Sequence, residues 1–292
     1  MESRVWLITG CSSGFGEQFV RQNIARGDKV IATGRNAATK LAHLKDTGAA
    51  ILDLDVTLPE EDIFSVIQEA HKIYGRIDLL INNAGYVESG PMEELSIERI
   101  QRCLETNFFG PLKVTKAILP LMREQRSGMV AFIGSINWQG GWCGHPSATA
   151  YSATKFALES LTECLQTEFA ALFDNSVRFI IFEPGYFRTE AFSHSNVIHL
   201  PAKLPEYKAF CELVGQHQRQ IYHNENGDSA KGVARMIDVL TSTGMAAGKD
   251  LPPRLPLGTD SLEMIRTKCQ ATLELCDEWE DLIVSTDAMA EI

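Results

Sequence analysis

The sequence predicts an α/β fold in which a doubly wound parallel sheet carries helices on both faces of a single domain. Short apolar runs of strand length alternate along the chain with longer segments of helical periodicity. Because parallel strands need crossover connections, which are right-handed in nearly all cases, this alternation winds helices onto both faces of one sheet. A length of 292 residues, 45% hydrophobic and 22% charged, suits one such core and excludes a mostly disordered chain.

The predicted elements follow that alternation in order. Strands are expected at residues 5–10, 29–34, 50–56, 77–85, 129–135 and 177–185, with a last edge strand at 254–257 between prolines. Helices are expected at 15–26, 60–74, 97–126, 149–173 and 229–240, and a C-terminal helix from 261 to about 282. Residues 186–226 are expected to run over the ligand-binding face as a lid. The domain is therefore predicted over 1–260, with a C-terminal helical extension and tail at 261–292.

Charge and composition exclude several classes of partner and compartment. With 27 basic and 38 acidic residues the formal net charge is −11, so nucleic acid and anionic membranes are poor candidate partners. No apolar stretch approaches the roughly 20 residues of a membrane helix, and the N-terminus lacks the pattern of a secretion signal. The seven cysteines include no C-x-x-C pair and the histidines lack metal-ligand spacing, which predicts reduced thiols, no metal and a cytoplasmic protein.

A glycine-rich segment, Thr9-Gly10-Cys11-Ser12-Ser13-Gly14-Phe15-Gly16, joins the first predicted strand to the first predicted helix. Glycines permit close backbone approach and positive φ, and the N-terminus of a helix offers free N–H groups at its positive end. A glycine cluster alone equally fits a tight turn. Its position between a strand and a helix favours binding of a nucleotide pyrophosphate.

Tyr151 is the only one of six tyrosines with a lysine, Lys155, four residues further on. On a helix this spacing puts both side chains on one face. A phenol titrates near pH ~10, so exchanging protons near neutral pH asks for its pKa to fall by roughly 3, about 4 kcal/mol. A cation roughly 4 Å away at an effective dielectric near ~20 supplies about that much. The pair is predicted to be an acid–base site, the alternative being a surface pair on an exposed helix.

Several motifs occur together in one order: the T-G-x-x-x-G-x-G turn, Asp55-Val56, Asn82-Asn83-Ala84-Gly85, Asn107, Ser135, Tyr151 with Lys155, and Pro184-Gly185 with Thr189. In these residues the chain resembles the short-chain dehydrogenase/reductase family, from residue 4 to about residue 190. Its opening stretch, Trp6 to Gly16, looks like the 17-beta-hydroxysteroid and retinol-dehydrogenase-like branch. The resemblance implies a Rossmann-type fold.

The resemblance also implies roles for particular residues. Ser135 would hold the substrate oxygen, Tyr151 would be the general acid and base beside Lys155, and Asn107 would kink its helix and hold a water that connects to Lys155. A serine at the end of a strand is otherwise a turn or cap hydroxyl. The implied cofactor-binding residues are Gly10, Ser12, Ser13, Gly14, Phe15, Gly16, Arg35, Asp55, Val56, Asn83, Ala84, Gly85, Tyr151, Lys155, Pro184, Gly185 and Thr189.

The end of the second predicted strand indicates the cofactor. Enzymes that use NAD usually place an acidic residue there to accept the ribose hydroxyls, whereas this chain has Thr33-Gly34-Arg35-Asn36. The planar guanidinium of Arg35 suits a 2′-phosphate, which predicts NADP(H). A solvated surface arginine is the alternative.

The predicted function is an NADP(H)-dependent oxidoreductase, a carbonyl reductase or alcohol dehydrogenase, that moves a hydride between nicotinamide and substrate. The same fold and cofactor could instead serve epimerisation, dehydration or cyclisation. A non-catalytic NADP(H)-binding scaffold or sensor is a further alternative. The helices at 97–126 and 149–173 are where the family commonly forms homodimers or homotetramers, although their apolar faces equally fit an ordinary core.

Five aromatic residues follow the carboxyl ends of predicted strands, where ligands bind in an open parallel sheet: Tyr86, Trp138, Trp142, Phe187 and Phe192. They predict a bulky, largely apolar small-molecule substrate, a ketone or secondary alcohol of the terpenoid, steroid, polyketide or alkaloid type found in secondary metabolism. The alternative is that some of these rings only seal the core or the lid.

Overall fold

The fold is given by a computed structural model that describes residues 3–135, 143–144, 146–193, 196–199 and 202–288. Its strands are β1 (Val5–Ile8), β2 (Lys29–Gly34), β3 (Ala50–Asp53), β4 (Leu79–Asn82), β5 (Val87–Ser89), β6 (Gly128–Ile133), β7 (Val177–Pro184), β8 (Val197–His199) and β9 (Arg254–Leu257). Its α-helices are α1 (Gly14–Ala25), α2 (Ala37–Lys40), α3 (Glu60–Tyr74), α4 (Ile97–Leu104), α5 (Gly110–Gln125), α6 (Thr149–Phe173), α7 (Pro205–Ile221), α8 (Ser229–Thr241), α9 (Thr259–Glu278) and α10 (Glu280–Val284).

Seven of these strands form one parallel sheet in the order β3-β2-β1-β4-β6-β7-β9. The chain first builds the sheet outward from β1 to β3 and then returns to place β4 on the other side of β1. The carboxyl ends of β1 and β4 therefore lie side by side at the point where the order reverses, which is where an open α/β sheet forms its ligand crevice. The predicted doubly wound sheet in a single domain is confirmed.

Alternate residues of each strand face opposite layers of helices. In β1, Val5 and Leu7 join a buried cluster with residues of α3, α5 and α6, whereas Trp6 and Ile8 join a second cluster with residues of α1 and α8. All four side chains are at most 1% exposed. Burial of a side chain of this size contributes about 1.5–3 kcal/mol, so both faces of the sheet hold the strand ends in place.

The segment at 97–126 is not the single helix that its periodicity predicts. A π-helical turn, Glu105–Phe109, separates α4 from α5. Such a turn carries one extra residue per turn and commonly occurs at functional sites. Asn107 lies inside it, fully buried, and its side chain bonds to backbone rather than to solvent. The kink that the resemblance implies at Asn107 therefore takes the form of a π-helical turn.

The segment at 186–226 contains more regular structure than the sequence predicts. It includes the 17-residue helix α7 and the strand β8, which pairs in parallel with β5 in a two-stranded ribbon. Each strand of the ribbon has three residues, too few for a periodicity signal. The start of α7 is tied to the domain because the backbone N–H groups of Lys203 and Leu204 donate to the Glu94 carboxylate.

The C-terminal part of the chain follows the prediction with shifted boundaries. β9 pairs with β7 at one edge of the sheet, where its flanking prolines need no partner strand. The predicted helix at 261–282 begins earlier, at Thr259, and is interrupted at Trp279 between α9 and α10. None of the helices in the described part of the chain combines the length and apolar character that a membrane crossing requires.

Candidate active site

The glycine-rich segment forms a tight turn between β1 and the N-terminus of α1. Gly10 and Gly14 have φ angles of +69° and +58°, a region that L side chains rarely adopt. A Cβ on Gly10 would lie 2.8 Å from the Cα of Ala84, so the backbones after β1 and β4 approach too closely for any side chain. A Cβ on Gly16 would collide with the carbonyl oxygen of Gly10. The turn therefore brings the N-terminus of α1 to the crevice, which Ser13, Gly14 and Phe15 line.

Thr9 and Asn83 fasten the two strand ends together. The Thr9 hydroxyl oxygen accepts from the backbone N–H groups of Asn83 and Ala84, each at 3.0 Å. In return the Asn83 side-chain amide donates to the carbonyl oxygens of Thr9 and Gly10, each at 2.9 Å. Thr9 is not among the site residues predicted from the sequence. Its position as the last residue before the first glycine was the available signal.

The π-helical turn directs Asn107 toward the loop after β4. Its amide nitrogen donates to the carbonyl oxygen of Tyr86 at 2.8 Å, and its amide oxygen accepts from the Tyr86 N–H at 3.0 Å. A Cβ built on Gly85 would lie 3.1 Å from the Asn107 oxygen and 4.0 Å from Lys155 Nζ. The glycine thus leaves open a space that both polar groups face. The water predicted to connect Asn107 with Lys155 stays a prediction.

Tyr151 and Lys155 lie on successive turns at the start of α6, as their spacing predicts. Lys155 is 6% exposed, and its ammonium donates to the carbonyl oxygen of Ile133 at 2.8 Å. The same nitrogen lies 5.5 Å from the centroid of the Tyr151 ring. The Tyr151 hydroxyl has a side-chain hydrogen bond with Ser135, at the end of β6. Ser135, Tyr151 and Lys155 are therefore brought together.

Burial shifts the pKa values of both Tyr151 and Lys155. Tyr151 as a whole is only partly buried, yet desolvation raises its pKa to about 12, against the opposing effect of the Ser135 hydrogen bond. Desolvation also lowers the pKa of Lys155 to about 8. The lowered phenol pKa predicted from the spacing is therefore not produced by these protein groups. The ammonium of Lys155 is directed to the Ile133 carbonyl, and it is not among the groups that set the pKa of Tyr151.

A cleft of about 880 Å³ joins the glycine turn to this group. It is lined by nearly all of the predicted cofactor-binding and catalytic residues, namely Gly10, Ser12, Ser13, Gly14, Phe15, Arg35, Asp55, Val56, Asn83, Ala84, Gly85, Ser135, Tyr151, Lys155, Pro184, Gly185 and Thr189. Two predicted residues do not line it. Gly16 packs beneath the turn, and Asn107 lies behind Tyr86.

The cleft wall next to β2 carries two basic side chains. Arg35 follows β2 directly, as its position in the sequence predicts, and Lys40 in α2 also lines the cleft. Lys40 was missed because α2 has only four residues and no periodicity of its own. The Asp53 carboxylate at the end of β3 accepts from the backbone N–H of Ala37 at 3.2 Å, so it is engaged in holding α2.

Of the five aromatic residues predicted to contact substrate, the structure places only some at the cleft. Tyr86 and Phe187 line the cleft, and the Phe187 ring meets Phe15 edge-on at 5.3 Å. Phe192 lies in the short 3₁₀ turn Glu190–Phe192. Trp138 and Trp142 lie outside the residues that the structure describes. Which of these rings contact substrate stays a prediction.

A buried ion pair in the cleft wall near Tyr86 is not among the predicted site residues. Glu88 is 1% exposed and forms an ion pair with Arg99, and both line the cleft near Tyr86. The Tyr86 hydroxyl lies 3.5 Å from the Glu88 carboxylate. The proximity of Glu88 and Arg99 could not be seen from the sequence, because they lie on different elements, β5 and α4.

The fold and this cleft define an α/β protein of the dinucleotide-binding type. A family described as short chain dehydrogenase matches residues 4–197 of the chain. The chain therefore belongs to the short-chain dehydrogenase family, and it is an oxidoreductase of that family. The resemblance predicted from the sequence motifs is confirmed at the level of the family.

Individual relatives cover nearly the whole chain. The oxidoreductase BOA17 of Botryotinia fuckeliana is 28% identical over 290 residues, 97% of this chain and 99% of the relative. A solved short-chain dehydrogenase from Streptomyces avermitilis is 35% identical, with a TM-score of 0.83 over 98% of this chain and 100% of that one.

Two further solved structures have a cofactor in their descriptions. ElxO with NADP bound is 25% identical, with a TM-score of 0.70 over 90% of this chain and 100% of that one. A short-chain dehydrogenase/reductase from Burkholderia phymatum in complex with NAD is 19% identical, with a TM-score of 0.76 over 96% of this chain and 95% of that one. The second shares the fold alone.

Proposed function

We propose that the protein is an NADP(H)-dependent oxidoreductase that transfers a hydride between nicotinamide and a bulky, largely apolar ketone or secondary alcohol. One observation carries the proposal: a single cleft runs from the glycine turn at the N-terminus of α1 to Ser135, Tyr151 and Lys155. A site that binds a dinucleotide and presents a proton donor at its far end has the parts that hydride transfer needs.

The residues of the cleft fit a dinucleotide. The N–H groups at the start of α1 and the close approach permitted by Gly10 would hold the pyrophosphate. Arg35 and Lys40 would pair with a 2′-phosphate, which favours NADP(H) over NAD(H). Related structures contain either cofactor, so the preference proposed here depends on these two side chains. When bound, the nicotinamide supplies or accepts the hydride.

The chain's own residues would manage the substrate oxygen and its proton. In the reducing direction the Ser135 hydroxyl would donate to the substrate carbonyl oxygen and orient it. Tyr151 would give its proton to the same oxygen. A phenol whose pKa is raised to about 12 stays protonated at neutral pH, which suits a proton donor. The ammonium of Lys155 would stabilise the phenolate that remains after the transfer.

The wall of the cleft supports an uncharged substrate. Tyr86 and Phe187 offer apolar contact surface beside the chemical group. The charges of Glu88 and Arg99 neutralise each other as an ion pair, so neither presents an unpaired charge to a ligand. This favours the ketone or alcohol class over sugar acids and phosphorylated metabolites.

A panel of carbonyl compounds tests the proposal. A decalone or steroid ketone and a small hydroxy acid or sugar are each incubated with NADPH, and both cofactor absorbance and product are followed. Consumption of NADPH equal to the alcohol formed from the bulky ketone is the expected result. Product without cofactor consumption would instead support epimerisation, dehydration or cyclisation, and cofactor binding without turnover would support a sensor. A clear preference for the small polar compounds would contradict the substrate class.

A further inference from the structure

Helix α9 begins on the domain and continues beyond it. In its first turn Ser261 is fully buried, and its hydroxyl donates to the carbonyl oxygen of Glu183 on β7 at 2.8 Å. Two turns further on, the ammonium of Lys268 lies 5.0 Å from the centroid of the Phe156 ring on α6. Every described residue from 270 to 288 is then exposed. This exposed segment, 270–288, is called the arm below.

The side of α9 that faces the domain continues into the arm as an apolar face. Ile265 and Lys268 are half-buried against the domain, and the same intervals of three and four residues lead on to Leu275 and Trp279. Those two side chains are 56% and 49% exposed, and Leu282 in α10 is 58% exposed. Nothing in the described part of the chain covers them. Helices gain most of their stability from packing an apolar face, so this face marks an interaction surface.

The charges of the arm exclude several partners. It carries six acidic residues and no basic one, the acidic ones being Glu274, Asp277, Glu278, Glu280, Asp281 and Asp287. An anionic membrane or a nucleic acid would be repelled by such a segment. The arm therefore requires a partner that offers both cations and an apolar surface.

A second copy of this chain offers both. The base of α9 carries two cations, Arg266 and Lys268, and beside them the Phe156 ring is 42% exposed. Two arms lying in the same direction would place acidic residues against acidic residues. In opposite directions, the acidic arm of each copy instead lies along the cations at the base of the other. Both copies then use the same surface, as a two-fold interface requires.

We propose that the arm is a dimerisation element. Two copies lay their C-terminal helices side by side in opposite directions, with Leu275 and Trp279 close to the two-fold axis. The acidic arm of each copy contacts Arg266 and Lys268 of the second copy. The inference goes beyond the proposed function, because no described residue of the arm lines the cleft.

The molar mass in solution, measured by light scattering, tests the apolar part of this interface. Leu275→Glu puts a charge at the centre of the contact, and burial of an unpaired charge is costly. We expect the variant to have half the mass of the wild type, whether or not a further interface joins the copies. NADPH affinity should stay at the wild-type value, which shows that the domain remains folded.

The matched control is Leu213→Glu, the same change at a leucine on α7 that is 63% exposed. Its mass should equal that of the wild type. A monomeric wild type, or a Leu275→Glu protein with the wild-type mass, would overturn the proposal.

Sedimentation equilibrium of Arg266→Glu tests the direction of the two arms. In opposite directions this change removes an attraction and adds a repulsion at two symmetric places, so the dimer Kd should rise about tenfold. Lys249→Glu makes the same change of charge at an exposed position outside α9 and should leave the Kd unchanged. An unchanged Kd in Arg266→Glu would overturn the antiparallel arrangement.

Discussion

Tyr151 is the residue on which the proposed chemistry depends. Its ring stays in place through the packing of α6, and its hydroxyl meets Ser135. Tyr151→Phe removes only the hydroxyl, so the proton donor is lost while the fold remains. We expect kcat to fall by about 10²–10⁴-fold, the usual contribution of general acid–base catalysis. Steady-state kinetics with saturating NADPH measures this.

The control for that variant is its affinity for NADPH and its free energy of unfolding. Both should match the wild type. A Tyr151→Phe enzyme with wild-type kcat would remove the phenol from the mechanism.

Lys155 makes the site sensitive to alkaline pH. Burial lowers its pKa from 10.5 to about 8, so the ammonium loses its charge as the pH rises through about 8, well below the pH at which an exposed lysine would. An uncharged amine attracts an anionic cofactor less. The kcat/KM for NADPH, which reports the free enzyme, should therefore fall above about pH 8. A profile that stays flat up to pH 10.5, the ordinary lysine pKa, would contradict this reasoning.

Arg35 tests the cofactor preference. Removal of a guanidinium that pairs with a 2′-phosphate should weaken NADPH binding by roughly 1.5–3 kcal/mol, while NADH binding should hardly change. Calorimetric titration of Arg35→Ala with both cofactors measures the difference. Lys45→Ala removes an exposed cation nearby that does not line the cleft, and it should affect neither cofactor. An equal loss for both cofactors in Arg35→Ala, or no loss at all, would count against the NADP(H) preference.

At the scale of elements, the edge strand β9 is held by a buried cluster of charges. Arg254 lies 3.2 Å from the carboxylate of Glu159 on α6 and 3.5 Å from that of Glu183 on β7, and it also pairs with the more exposed Glu163. Glu183 is fully buried and Glu159 nearly so. Burial and the neighbouring Glu183 raise the pKa of Glu159. One arginine thus compensates for carboxylates on two other elements.

Arg254→Met should destabilise the fold by about 3–5 kcal/mol at neutral pH, because it leaves a buried carboxylate without its counter-ion. A protonated carboxyl carries no charge that needs the arginine. Protonation then removes the penalty, so the loss should shrink as the pH falls toward 5. Urea unfolding at pH 7 and pH 5 measures both values. An equal loss at the two pH values would contradict this explanation.

At the scale of the whole molecule, the sequence predicts the features that depend on periodicity and local spacing. Successive residues of β1 pack into opposite apolar layers, as expected of a strand that is covered on both faces. Tyr151 and Lys155 lie on one helical face, as their spacing of four residues predicts. Periodicity alone predicts one unbroken helix at 97–126, whereas the family resemblance implies a kink at Asn107, where the π-helical turn lies.

Features that depend on contacts between distant segments could not be predicted in this way. The β5–β8 ribbon joins two three-residue strands more than a hundred residues apart, and the Glu88–Arg99 pair joins two elements. The pKa of Tyr151 depends on how much water its hydroxyl loses, a quantity that spacing does not contain. The spacing therefore places Tyr151 and Lys155 on one helical face, whereas the direction of the phenol pKa among the protein groups follows from burial.

The central claim is that this cleft transfers a hydride from NADPH to a substrate carbon while Tyr151 protonates the oxygen. The most direct measurement uses NADPH that carries deuterium at the transferable position of its nicotinamide. The substrate is epiandrosterone, a steroid ketone. Mass spectrometry should find one deuterium in the alcohol product, bonded to the former carbonyl carbon, and Tyr151→Phe should form this product about 10²–10⁴-fold more slowly. An alcohol formed without deuterium, or the same labelled alcohol at the wild-type rate from Tyr151→Phe, would contradict the account.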